Sequence, residues 1–431
     1  MRAAVAVLSF SLCACAVAAE LTGGPMLGYT DHCSTRVWLR ADGEESATLE
    51  LRRADSDEPW RTVAEGRFDP ERDGTLLLTA AELEPRTAYA YRVVIDGAPT
   101  EPGRVRTLPK PGDGVLRLAF GSCVHLGRYP QQPIWATIAA AKPDVFVSLG
   151  DMVYYGREDV KSQAGLYRRM RLQREAPDLR AFLRKVPTLA IWDDHDYGPN
   201  NSDKTFVLRR QTREVWRSYW GNPGYGEDGE GIYCKARLGP VDLFLLDDRS
   251  FRSPNLSPPG PEHRILGERQ TAWLLRELKA SRARLKVVAV GGQFLSRWPH
   301  PVETWEPAGE ERARILESIR DEEIRGVVFV SGDVHMGEVL KAKDSVVGYP
   351  LYELTSSPLA NNNNPGLSSM PHSGRVFVDN VGMNFGWIEV DAKAGTLLLE
   401  LRDETGDIIW TASPKDVLAP PAKQPRRFYS R

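Results

Sequence analysis

The chain carries no strong charge of either sign. Against 56 Lys and Arg stand 58 Asp and Glu, a formal net charge of −2 over 431 residues. Proteins whose main partner is nucleic acid carry a basic excess, so that class is set aside and no stable nucleic-acid partner is expected. Long apolar runs are also missing. The longest nearly apolar stretch, residues 3–17, falls short of the ~20 residues that a membrane span requires, and no transmembrane segment is expected. There are no internal repeats and no long low-complexity tract. Cysteine is scarce, at five residues. Hydrophobic content of 42% and charged content of 26% are ordinary for a chain with a packed core.

What is present begins with a leader. Met1-Arg2 supplies a minimal basic start, residues 3–17 are apolar or small, and Val17-Ala18-Ala19 offers small residues before Glu20. This pattern reads as a secretory signal peptide over residues 1–19, with a periplasmic or secreted location. Leu12-Cys13-Ala14-Cys15 loosely fits a lipoprotein signal, which makes a lipid anchor at Cys15 the finer alternative. Cys33, Cys123 and Cys234 remain for the mature protein, an odd number for an oxidising compartment. Cys123 is the candidate for the unpaired or metal-bound thiol. A Cys33–Cys234 pair stays open.

Residues 20–108 read as short alternating strands separated by Asp42-Gly43, Asp73-Gly74 and Asp96-Gly97 turns. A β-sandwich of fibronectin III or immunoglobulin-like kind is expected there. Residues 109–114, with two prolines and two glycines, read as a linker. From residue 115 strands alternate with helices, expected at 134–141, 163–174, 178–185, 204–220, 267–280 and 310–320. After residue 350 strands return. The expected class is α/β (α+β): two mixed β-sheets packed face to face with flanking helices over 115–415, then a tail at 416–431.

Six short apolar runs each end in polar chemistry: Cys123, Asp151, Asp193-Asp194-His195-Asp196, Asp247-Asp248-Arg249, Gln293 and Asp333-Val334-His335. β-Branched apolar runs suit strands buried on both faces. Ligands of open α/β sheets bind beyond the carboxyl ends of such strands. Six polar tips therefore suggest one shared, metal-rich site. Asp oxygens and His nitrogens suit hard and borderline cations, and a thiolate adds a softer donor. Asp151 is the natural bridge between two cations, and Tyr154 can turn back to the same ion; a tyrosinate favours ferric iron. Asp333 and His335, two apart, would share one side if the strand pattern persisted.

Gly150-Asp151-x-x-Tyr154 resembles the second block of calcineurin-like metallophosphoesterases. Asp193-Asp194-His195-Asp196 and Gly332-Asp333-Val334-His335 resemble their later blocks. The departures, Gly121-Ser122-Cys123 in the first block and Asp333 for a histidine in the last, resemble the alkaline phosphatase D (PhoD) family. So do Leu246-Asp247-Asp248-Arg249, Gln270-x-x-Trp273-Leu274 and Glu353-Leu354-Thr355-Ser356-Ser357-Pro358.

The resemblance implies hydrolysis of phosphate monoesters and diesters at alkaline pH outside the cytoplasm, with Fe3+ and Ca2+ as cofactors. It implies Cys123, Asp151, Tyr154 and His335 as iron ligands, and Asp151, Asp194, Asn200 and Asp333 as calcium ligands. Asn201 is the rival to Asn200, and Asp193 and Asp196 are supporting candidates. The expected reaction is in-line attack on phosphorus by a metal-activated hydroxide. His195 would protonate the leaving group or hold an oxygen, and Arg249 would clamp phosphate. Arg249 in an ion pair with Asp247 or Asp248 is the structural alternative. Gln293 is left between ordering water or phosphate and capping a turn. A preference for diesters, including phospholipids, is the rival within enzymes. A non-catalytic secreted adhesin built on the β-sandwich is the rival of another class.

Overall fold

The computed structural model describes residues 21–43, 45–227, 229–298 and 303–418. The expected leader with Cys13 and Cys15, and the tail beyond residue 418, lie outside the described residues. Among the described residues no helix is long and apolar enough to cross a membrane.

The N-terminal part is all β. Strands Leu21–Thr30, Thr35–Ala41 and Thr75–Ala80 form one sheet, and Ser46–Arg53 centres a second with Arg61–Arg67 and Ala88–Ile95. Alternation drives the packing. In Ala88–Ile95 the inward positions Tyr89, Tyr91, Val93 and Ile95 are buried and join Leu39, Leu49 and Leu78 in one apolar core. Period-two side chains leave the other face to solvent.

This β layer does not hang on a free tether. Met26, Trp38 and Leu108 belong to the larger core of the following α/β part. Trp38 Nε1 donates to Ser218 O at 2.7 Å, and Tyr91 Oη donates to Arg184 O at 2.8 Å. The Pro- and Gly-rich stretch is itself tied down, with Gly112 N donating to Gly239 O at 2.8 Å. Trp38→Ala should therefore cost about 3–5 kcal/mol, the usual range for a buried Trp. Denaturant unfolding followed by far-UV dichroism checks it; a loss below about 1 kcal/mol would show that the two parts are energetically separate.

The α/β part holds two mixed sheets. One runs Thr188–Ile191, Val145–Leu149, Val115–Gly121, Asn384–Asp391, Thr396–Asp403, Ile408–Ala412. Its first three strands are parallel, and Asn384–Asp391 lies antiparallel to Val115–Gly121. The other runs Cys234–Leu238, Val241–Leu245, Leu285–Ala289, Val327–Ser331, Leu351–Thr355, Gly337–Ala342, Arg375–Asp379. Every residue of Val145–Leu149, Val241–Leu245, Leu285–Ala289, Val327–Ser331 and Leu351–Thr355 is buried. That is why these segments are mostly apolar rather than alternating, and why the charged residues inside them, Asp242, Lys286 and Glu353, are buried too.

Helix Gly267–Ala280 has the expected bounds. The helix expected at 204–220 starts only at Arg209 and ends at Tyr219. Residues 203–205 are held in a turn by the Asp203 carboxylate, which accepts from Thr205 N at 2.9 Å. Strands Gly337–Ala342 and Arg375–Asp379 and the short helix Asp194–Tyr197 were not anticipated. Cys33, Cys123 and Cys234 are all free thiols. Cys234 is sealed in the core, where burial pushes its thiol up to about 12, while Cys33 sits in a half-exposed turn. The Cys33–Cys234 pair does not form.

Candidate metal centre

The carboxyl ends of Val115–Gly121, Val145–Leu149 and Thr188–Ile191 meet that of Val327–Ser331 where the two sheets converge. Close approach needs glycine at two places. A Cβ on Gly332 would stand 2.5 Å from Ser122 Cβ. A Cβ on Gly150, whose φ is +100°, would stand 2.5 Å from Asp193 Cβ.

Just past these ends the chain turns over sharply. Cys123, Asp151, Asp333 and His335 have φ of 64°, 53°, 67° and 56°. Left-handed backbone is uncommon for non-glycine residues, and strain of this kind gathers at functional sites. The strand pattern therefore does not persist through Asp333 and His335, so the condition for their sharing one side is not met. The two side chains serve different neighbours instead.

Donor atoms of Cys123, Asp151 and His335 lie within 4.8 Å of one another. So do those of Asp151, Asp194 and His195, and those of Asp193, Asp194 and Asp333. Tyr154 Oη is 3.1 Å from Asp151 Oδ2, and Cys123 Sγ is 3.6 Å from the same oxygen. Cys123, Asp151, Asp193 and Asp194 are buried; Tyr154, His195, Asp333 and His335 are half-buried and line the open side.

The donor chemistry fits cations. Burial pushes the Cys123 thiol up to about 11 and the Asp333 carboxyl up to about 7. Burial, with the neighbouring carboxylates added, raises Asp151 and Tyr154 well above their ordinary values. Crowded anionic groups lose their charge when nothing compensates it, and a cation seated among them restores it. The thiol, phenol and imidazole around the Asp151 carboxylate make a soft, mixed set. The carboxylates of Asp193, Asp194 and Asp333 make a hard one.

Several expected residues have other work. Asp196 is no ligand candidate in this geometry. Its carboxylate accepts from the backbone N–H groups of Asp151 (2.5 Å), Met152 (3.0 Å), Val153 (3.0 Å) and Asp193 (3.1 Å), which uses its lone pairs and fixes both ligand turns. Asn200 is exposed and lies beside the His195 imidazole, while the neighbouring Asn201 offers its backbone N–H to Asp194 Oδ2 at 2.5 Å. Asp247 holds Trp192 Nε1 at 2.7 Å and Ile232 N at 2.9 Å. Gln293 joins Thr355 (2.9 Å) and Trp298 (2.9 Å). Two of the six polar strand tips thus build structure and not the shared site.

Arg249 departs furthest from expectation. It is fully buried, pairs with Asp193, and lies 2.8 Å from Glu303, with Asp248 at 3.7 Å. Burial alone would raise Glu303, yet Arg249 and Arg252 overcome it and hold the carboxyl down at about 2. A guanidinium enclosed by carboxylates is not presented to a substrate.

Three residues near the site were not anticipated. Asn361 Nδ2 donates to Tyr154 Oη at 2.9 Å and stands 3.5 Å from His335 Nε2. Glu303 completes the Arg249 pair. The His125 ring lies 4.6 Å from the Tyr154 ring, whose own distance to His195 is 4.2 Å. Position two after Cys123 was the only signal for His125, and a run of four asparagines the only one for Asn361.

Comparison with known proteins agrees with this architecture. A family model described as PhoD-like phosphatase matches residues 118–405. A model for a domain of unknown function (DUF7800) matches residues 18–112. Alkaline phosphatase D of Bacillus subtilis (strain 168) is 27% identical over 306 residues, 59% of this chain. The match spans 52% of that relative, about half its length. The solved structure of PhoD superposes with a TM-score of 0.75 at 19% identity, covering 90% of this chain and 88% of that one. Purple acid phosphatase PPD1 from yellow lupin (Lupinus luteus) seeds gives 0.67 at 13% identity, covering 92% and 75%. At such identities the two structures speak for the fold.

Proposed function

The chain belongs to the PhoD-like phosphatase family, and from that premise we propose that it is an extracytoplasmic, metal-dependent phosphoric ester hydrolase. The observation that carries the reading is the position of Asp151. Its carboxylate is common to the Cys123–Asp151–His335 group and to the Asp151–Asp194–His195 group, the arrangement a bridging ligand needs. In this reading Cys123, Asp151, Tyr154 and His335 hold Fe3+, with Asn361 steadying the phenol and the imidazole. Asp151, Asp194 and Asp333 hold Ca2+, joined by Asn200 from the rim. Cations seated there lower the pKa of water and neutralise charge on phosphoryl oxygens.

The protein's own groups do the rest. Asp196 keeps the Asp151 turn in place through three backbone amides and ties it to Asp193 through a fourth. The His195 N–H donates to Asp194 Oδ1 at 2.9 Å and to Asp151 Oδ1 at 3.2 Å, which fixes the residue that carries a proton to the leaving oxygen. Arg249 orients Asp193 and Glu303 beneath the site. The leader at residues 1–19 supports export. The buried, converging acids speak against an adhesin, since a binding module gains nothing from holding uncompensated carboxylates in its interior.

Elemental analysis of protein purified without chelator is expected to find iron and calcium. Turnover of p-nitrophenyl phosphate and of its bis ester should accompany them, and dialysis against a chelator should remove calcium and activity together. A protein holding neither metal and hydrolysing neither ester would overturn the proposal and favour the adhesin. Turnover of the bis ester alone would establish the diesterase.

A further inference from the structure

The burial of Arg249 leaves the substrate's phosphoryl oxygens without the cation expected for them. The turn at residues 125–128, directly after Cys123, carries two side chains with no role assigned so far, the half-buried His125 and the exposed Arg128. We propose that this turn is the substrate-recognition element, with the His125 imidazole and the Arg128 guanidinium donating to the non-bridging oxygens of a phosphomonoester dianion. The inference rests on the hydrolase reading above.

His125 and His195 both lie against the Tyr154 ring, at 4.6 Å and 4.2 Å and tilted by 31° and 32°. Both imidazoles thus pack against the one phenol that the iron reading uses. His125 Nδ1 accepts from Arg128 N at 3.2 Å. That bond assigns the proton of a neutral ring to Nε2, and the Nδ1 edge is turned to the backbone of its own turn. Nε2–H is the donor left over.

The turn is fixed at both ends. Arg128 N and Tyr129 N donate to His125 O at 3.0 Å and 2.9 Å. Tyr129 Oη donates to Asn362 Oδ1 at 2.8 Å, next to the Asn361 that holds Tyr154.

Arg128 is exposed, and among the described residues no carboxylate pairs with it. It follows His125 by three residues, in the turn that its own backbone N–H closes onto His125. A planar guanidinium matches two phosphoryl oxygens at once. A monoester carries one more negative charge than a diester, so such a cation favours the monoester.

The test uses the metal-loaded protein. Arg128→Gln should raise KM for p-nitrophenyl phosphate about tenfold, with kcat within about twofold, and should weaken inhibition by inorganic phosphate about tenfold. KM for the bis ester should move by about threefold or less, and Arg128→Lys should recover most of the loss. His125→Phe keeps a ring on Tyr154 but removes the donor; kcat/KM for the monoester should fall about tenfold or more with iron and calcium contents unchanged. Unchanged constants in Arg128→Gln, an equal loss on both esters, or metal lost from His125→Phe would overturn the inference while leaving the hydrolase reading intact. Wild-type protein that turns over neither ester removes both.

Discussion

Asp151→Asn should abolish hydrolysis, lowering kcat/KM for p-nitrophenyl phosphate by about 10³-fold or more. Losing a single partner outside the ligand shell typically costs about 10–100-fold, and loss of one transition-state donor costs about 10²–10³-fold. Asp151 should exceed both, because one side chain serves two donor groups. The amide keeps the shape of the carboxylate and one oxygen, so the His195 N–H retains an acceptor. It loses the charge that a bridging position requires. The fold should survive. Burial, with Asp194, Cys123, Asp196 and Asp333 adding to it, makes a charged Asp151 unfavourable without a cation, and asparagine removes that penalty. Steady-state kinetics, metal content and far-UV dichroism on one preparation test this. Activity within about tenfold of wild type, with metals retained, would refute the shared-ligand role.

Arg249→Met should destabilise the protein by about 3–5 kcal/mol, the cost of leaving buried charges without their partner. Asp193 would be stranded, and Glu303 would keep only Arg252 at 3.1 Å and the Asn255 amide at 2.7 Å. Methionine fills much of the volume, so packing loss is small and the electrostatic loss dominates. The sign follows from Glu303. Its carboxyl is held at about 2 by the two guanidiniums, so the stability it contributes is present above the ordinary Glu value and is lost as pH falls towards 2. Removing Arg249 takes most of that contribution away at neutral pH. Chemical denaturation at neutral pH measures the effect. If the variant kept wild-type stability and showed only a raised KM, the residue would be a phosphate clamp after all.

The elements legible in the sequence were those whose pattern follows from burial alone. Apolar runs rich in β-branched residues marked Val145–Leu149, the stretch from Val287 onward and Val327–Ser331, because strands covered on both faces favour them. Strict alternation marked Ala88–Ile95. Strand Gly337–Ala342 stayed hidden, because a charged Glu338 sits inside it. That carboxylate is buried only because Arg375 Nε reaches it at 2.5 Å from a strand 37 residues later. The donors Cys123, Asp151, Asp194, Asp333 and His335 were readable from their place at strand ends. Asn361 and His125 were not, because each acquires its position from a contact with Tyr154 and not from a local pattern.

Which segments become buried strands, and that acid, thiol and imidazole groups follow them, is legible along the chain, since hydropathy period and strand termini are local properties. Which of those groups share one site depends on packing between distant segments. That packing sent Arg249 and Asp196 into buried contacts that support the ligand turns and left Arg128 exposed on the turn after Cys123. The same side chain is a support or a substrate contact according to what packs across from it. Those neighbours lie 45 residues from Asp196 at Asp151 and 56 from Arg249 at Asp193.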